Sequence, residues 1–235
     1  MRAGILIIGS LLWDDQGREH WRQSRLDVDQ KVLVQTPIRY GRLSQGNTFT
    51  MTFAPGDSMG QAVLVPCRAP IADVDSLVAE VRALWKAEDR NASPHDIVRS
   101  WGCVGALFGP GGQFDDLQQA WAAHFSMNVP TPIPPVDENG VLDIPWPMTA
   151  LDGASANVDI ILATATKPRP TPPSAEDIAE AWVDQNNRHE RYFFENVRHG
   201  IRTSDDGLIW RRIEQRNPDW LDDPAYAEAI GILQA

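Results

Sequence analysis

The chain opens on an apolar run, Gly4-Ile5-Leu6-Ile7-Ile8, that breaks at Gly9-Ser10 before Leu11-Leu12-Trp13. A short continuous apolar segment bounded by turn residues reads as a buried strand, here running into a tight loop. Residues 31–44, 48–54 and 60–67 are rich in Val, Thr and aromatic side chains. Gly, Asn, Asp and Pro clusters separate them, with turn signals at Gln45-Gly46-Asn47 and Pro55-Gly56-Asp57, so three further strands are predicted. The period then changes. Val74, Leu77, Val78, Val81, Leu84 and Trp85 follow the i, i+3, i+4, i+7 spacing of a helix with one core-facing stripe, predicting a helix over 73–88.

Further along, 103–108 reads as a strand closed by Gly109-Pro110-Gly111-Gly112, and a helix is predicted near 114–126. The glycine run has neither a following Lys-Ser/Thr nor G-x-G-x-x-G spacing, so it is a turn and not a phosphate loop. Prolines 130, 132, 134, 135, 145 and 147 make 128–150 an excursion that is neither a regular helix nor a central strand. Residues 158–166 read as a last strand and 167–173 as a stiff linker. Ser174 with Asp177 has the spacing of a capping box and opens a helix extending toward Val197. The tail, with Trp210 and Trp220, is expected to pack back. This divides the chain into a core over 1–166 and a helical extension over 167–235.

Composition narrows the function classes. The chain has 235 residues, 43% hydrophobic and 23% charged, which is ordinary for a globular protein with a sizeable core. A net charge of −11, with Arg and Lys scattered, argues against a nucleic-acid partner. The first apolar run is too short to span a membrane, and it lacks the small-residue cleavage site of a secretory leader. No membrane partner and a cytoplasmic location are therefore expected. Cys67 and Cys103 lie in apolar settings that suggest buried thiols, although a bridge between them stays open. The five histidines are dispersed, so no metal site is expected.

The chemistry concentrates on Glu88. Continuing the apolar stripe of the 73–88 helix leads to position 88, which is a glutamate, whereas Glu80 and Asp89 fall off the stripe and are expected in solvent. Burying an ionised carboxylate is costly, so such a group gains a partner or a raised pKa. A carboxylate tuned toward neutral pH suits a general acid/base. The alternative is a frayed helix end at which Glu88 turns outward and pairs with Arg90. The loop 79 residues earlier offers the complement: backbone N–H groups near Gly9 and Ser10 that can hold a carboxylate or a polarised carbonyl.

Gly9-Ser10-Leu11-Leu12-Trp13-Asp14 after an apolar strand resembles the Tyr-Gly-Ser-Leu/Asn loop of the gamma-glutamyl cyclotransferase-like family. Leu84-Trp85-Lys86-Ala87-Glu88-Asp89 stands where that family's helix ends in its catalytic Glu, and Gly60-Gln61-Ala62-Val63-Leu64-Val65-Pro66 resembles the strand before that helix. The likeness covers about residues 4–108, with 158–166 as a closing strand, and departs from the family at Ile8, where the loop tyrosine is missing. It implies an α+β fold with a small, mixed, β-barrel-like sheet and flanking helices. It also implies a cofactor-independent enzyme whose partner is a small molecule bearing a gamma-glutamyl group. Glu88 would be its general acid/base and Ile8, Gly9, Ser10 and Leu11 its substrate loop, releasing 5-oxoproline and a free amine.

Two other function classes stay open on the residues: a binding protein that keeps the pocket without the chemistry, favoured by Ile8, and an amide hydrolase that uses Glu88 to activate water. Gln185, Asn186 and His189 interrupt the apolar stripe Ile178, Trp182, Phe193, Val197, and either bond internally or line a cavity. Arg188, Arg191 and Arg198 read as a solvated face, and Arg22 as a weaker candidate for holding an acidic substrate. The tryptophan-rich tail leaves a homo-oligomer open.

Overall fold

A computed structural model describes residues 1–15, 17–44, 48–56, 59–110, 113–183, 190–216 and 224–234. The turn at 45–47, Asp57, Gly111-Gly112, the stretch with Gln185, Asn186, Arg188 and His189, and Trp220 lie outside the described residues. The first apolar run is strand β1 (Ala3–Ile7), buried at all five positions. It sits in mid-sheet, antiparallel to β4 (Met59–Pro66) and parallel to β8 (Ile160–Thr166). Burial on both faces is why these strands read as continuous apolar runs and not as an alternation.

Strand β2 (Val32–Leu43) pairs with β4 on one side and with β3 (Phe49–Phe53) on the other, and β6 (Gly102–Phe108) pairs with β8. Two strands of two residues complete the sheet, β5 (Val98–Arg99) beside β6 and β7 (Met148–Thr149) beside β2. The order is β3-β2-β4-β1-β8-β6-β5, with β7 off this path.

The barrel-like closure expected from the resemblance does not form. The path is open, because β3 at one end and β5 at the other are not hydrogen-bonded to each other. A closed barrel needs a full ladder at every junction, and β5 ends after two residues. Side chains of β2, β3 and β5 instead line a cleft between the two ends. Arg42 spans it, with its guanidinium 4.5 Å from the centre of the Trp101 ring.

Helix α1 (Glu19–Arg25) precedes β2, and α2 (Val74–Glu88) packs on β6, β8 and α3 (Asp115–Asn128). Asp73 caps α2 by accepting from the Ser76 N–H at 2.9 Å, and the Ser76 hydroxyl oxygen accepts from the Asp73 N–H at 3.0 Å. Leu77, Val78, Val81, Leu84 and Trp85 are buried along its stripe. Glu80 departs from the expectation. It is only 4% exposed and pairs with Arg25 at 2.7 Å, because α1 brings a cation to that face. The proline-rich excursion buries Ile133, Val136, Leu142 and Ile144 in the common core.

Beyond residue 167, helices α4 (Ala175–Val183), α5 (Glu190–Arg198), α6 (Asp206–Arg216) and α7 (Ala227–Gln234) follow. The capping box at Ser174 and Asp177 is present in both directions. Trp182 meets the Tyr40 ring edge-on at 5.1 Å, and Gln61 exchanges backbone hydrogen bonds with Arg202, so these helices share the core of the sheet. Cys67 and Cys103 are free thiols, pushed by burial up to about 12 and about 11. No described helix is long and apolar enough to cross a membrane.

Candidate functional site

The loop after β1 makes one helix-like turn. The Gly9 carbonyl accepts from the Leu12 N–H at 3.2 Å, and the Ser10 carbonyl accepts from Trp13 and Asp14 at 3.3 and 2.8 Å. Among the described residues no acceptor is paired with the N–H of Gly9, Ser10 or Leu11. These are the donors that an opening helical turn leaves unmet, and they form a concavity suited to an anion or a polarised oxygen.

Two arginines fix this loop. Arg22, 7% exposed, donates through Nη1 to the carbonyls of Leu11 and Asp14, both at 2.9 Å, and pairs with Asp15. It is therefore spent on the backbone and is not available to a substrate, contrary to the sequence-based suggestion. Arg18 donates through Nη1 to Ser10 Oγ at 2.8 Å and to Asp14 at 3.0 Å. Its Nε donates to the Ala87 carbonyl at 3.2 Å, which ties the loop to the last turn of α2.

Glu88 is the last residue of α2 and lies on the floor of the cleft with the loop. Among the described residues no hydrogen bond or ion pair engages its carboxylate. Desolvation raises its pKa above the ordinary carboxylate value; Arg18 and Arg42 pull it down, and Asp89 adds to the rise. The outward turn toward Arg90 is not adopted. Asp89, expected in solvent, is instead engaged by Arg99 Nε at 3.1 Å.

The cleft measures about 960 Å³, at the upper end of what small-molecule sites occupy. Ile8, Gly9, Ser10, Leu11 and Glu88 all line it. Sequence reasoning missed Arg18, Arg42 and Tyr192, which also line it. Tyr192 arrives from α5, far outside the 4–108 segment. Its hydroxyl oxygen accepts from the Met51 N–H at 3.1 Å, and its ring meets Trp13 edge-on at 6.1 Å. Trp13 Nε1 donates to Asn196 Oδ1 at 2.8 Å, one turn further along the same helix. The available signal was the i, i+4 pair Tyr192 and Asn196, polar groups on a helix that otherwise buries Phe193 and Val197.

A side chain on Gly9 would meet the Tyr192 hydroxyl, since a Cβ built there falls 2.8 Å from it. Glycine at this position lets loop and helix touch. Among the described residues no group of three His, Cys, Asp or Glu side chains converges on a point that could hold a metal ion. Arg191 lies over the Trp13 ring at 5.4 Å and Arg198 pairs with Glu228, both on the exposed side of α5. Chemically, the cleft offers an uncommitted carboxylate, a set of backbone donors and a cationic wall. No protein-family model matches the sequence, and no curated protein matches it.

Proposed function

We propose that the protein is a gamma-glutamyl cyclotransferase-like enzyme that cleaves a gamma-glutamyl amide to 5-oxoproline and a free amine. The observation that carries this reading is one cleft holding the desolvated Glu88 carboxylate and the N–H groups of Gly9, Ser10 and Leu11, all without a hydrogen-bond partner among the described residues. Glu88 takes a proton from the α-amino group of the glutamyl unit. The nitrogen attacks the γ-carbonyl carbon and closes a five-membered ring, and the carbonyl oxygen carries negative charge toward the loop donors. The bond to the leaving amine then breaks, and Glu88 returns the proton to that nitrogen.

No water is consumed, and the attack is intramolecular, so positioning supplies much of the acceleration. A carboxylate with a raised pKa is a stronger base when ionised and a usable acid when protonated, which suits one group to both transfers. Water attacking the same carbonyl would release glutamate instead.

The test is incubation of the protein with gamma-glutamyl amines, gamma-glutamyl amino acids and glutathione, with Glu88→Gln as control. Production of 5-oxoproline that falls by about 10²–10⁴-fold in the variant supports the assignment. Glutamate as product moves the reading to the hydrolase. A folded protein that binds these compounds without turnover supports the non-catalytic binding protein.

A further inference from the structure

Arg42 stands on the wall of the cleft with its guanidinium over the Trp101 ring at 4.5 Å. It interacts electrostatically with both Glu88 and Tyr192, and Tyr192 in turn with Glu88, so the three groups share one volume. Among the described residues no carboxylate pairs with Arg42. Other cations of the cleft are committed: Arg18 to Ser10, Asp14 and Ala87, and Arg99 to Asp89 and Asp96.

Tyr192 complements this arginine. Its oxygen accepts from the Met51 N–H and has the Asn196 side chain as a second neighbour, both acting on the oxygen, so its own hydroxyl hydrogen can donate. A guanidinium held over an indole face and a phenol hydroxyl held by a backbone N–H are both preorganised donors. The cation–π contact also limits the side-chain entropy that Arg42 loses when it binds an anion.

We propose that Arg42 and Tyr192 form a carboxylate subsite that selects substrates carrying a free carboxylate beside the acyl group presented to Glu88. In the cyclotransferase reading, on which the identity of the substrate rests, that group is the α-carboxylate of the glutamyl unit. The γ-carbonyl then reaches the Gly9–Leu11 donors while the α-amine faces Glu88. The subsite uses one residue from β2 and one from the C-terminal helices, so the extension is part of the site and not an accessory.

The experiment is titration calorimetry with three probes: 5-oxo-L-proline, its uncharged amide 5-oxo-L-prolinamide, and glutarate. The wild type is compared with Arg42→Met, Arg42→Lys, Tyr192→Phe and Glu88→Gln, with thermal unfolding to show that each variant is folded. Wild type is expected to favour 5-oxoproline over its amide. Arg42→Met is expected to weaken the acid by about 10-fold or more and Tyr192→Phe by a smaller factor, in line with a charge-assisted and a neutral hydrogen bond. Neither should change binding of the amide. Arg42→Lys keeps the charge and should fall between wild type and Arg42→Met. Glu88→Gln should bind the acids at least as well as wild type.

Acid binding that is unchanged in both Arg42→Met and Tyr192→Phe overturns the subsite. So does a wild type that ignores all three probes, or that binds acid and amide alike. Glutarate binding that depends on Arg42, without binding or turnover of glutamyl compounds, keeps the subsite and removes the cyclotransferase reading.

Discussion

Arg18 joins Ser10 to the end of helix α2: its Nη1 donates to Ser10 Oγ at 2.8 Å while its Nε donates to the carbonyl of Ala87, the residue before Glu88. One guanidinium thus sets the spacing between the loop donors and the carboxylate, and its charge also draws the Glu88 pKa downward. Replacing it with Met removes both effects. Arg18→Met is expected to lower kcat/KM by about 10–100-fold, as a small misplacement of reacting groups does. The acid limb of its pH profile should also move upward. A loss of rate without movement of that limb would assign Arg18 a purely structural role.

The pH dependence of wild type follows from the sign of the Glu88 shift. As a base, Glu88 must be ionised, and desolvation raises its pKa. Activity in kcat/KM should therefore climb with pH through an inflection above the ordinary carboxylate range. Removing Arg42 takes away a cation that favours the ionised form, so the inflection should rise further in Arg42→Met, measured with saturating and subsaturating substrate across pH 4–9. An inflection at or below the ordinary value would separate Glu88 from the base.

Gly9 and Tyr192 are coupled by contact. An alanine at Gly9 meets the Tyr192 hydroxyl at 2.8 Å, whereas the next ring atoms stand at 3.6 and 3.7 Å. Gly9→Ala is expected to cost about 1–2 kcal/mol of stability through overpacking. Tyr192→Phe strands the Met51 N–H and costs a similar amount. In the double variant the clash is gone, so its cost should fall short of the sum of the two single costs by about 1 kcal/mol, read by denaturant titration of all four proteins. Strict additivity would show that the helix yields freely to the loop.

Periodicity made much of the fold legible. Strands β1 to β4 and helix α2 carry unbroken patterns, and the burial of residues 77–85 in α2 is the stripe read from spacing alone. What pattern could not show was tertiary. Strands β5 and β7 are two residues each, too short to leave a signal, and pattern could not show that the end strands β3 and β5 stay unpaired. Glu80 looked solvated until α1 supplied Arg25. Within the site, Glu88 and the Gly9 loop stood out by position and glycine chemistry. Tyr192, 183 residues beyond Gly9, reaches the loop only because α5 folds onto β3. No local rule links them.

Asp206 gives a prediction independent of the cleft. It is buried at the start of α6, with Oδ1 accepting from the Thr203 hydroxyl at 2.5 Å and Oδ2 unpartnered among the described residues. Burial pushes its pKa up to about 7, from the ordinary value near 4. The sign then follows from linkage. Below about pH 4 the carboxyl is protonated in both states and contributes no pH dependence. As pH rises from about 4 to about 7 the unfolded chain ionises and the folded chain does not, so stability falls, by about 4 kcal/mol in total. Asparagine keeps the acceptor for Thr203 and cannot ionise, but it leaves an amide N–H without a partner, at about 1–3 kcal/mol. Asp206→Asn should therefore be less stable than wild type by about 1–3 kcal/mol at pH 4 and more stable by about 2 kcal/mol at pH 8. The crossing of the two stability curves between those limits, followed by urea unfolding at several pH values, is the diagnostic. Parallel curves would show that Asp206 titrates normally in the folded protein.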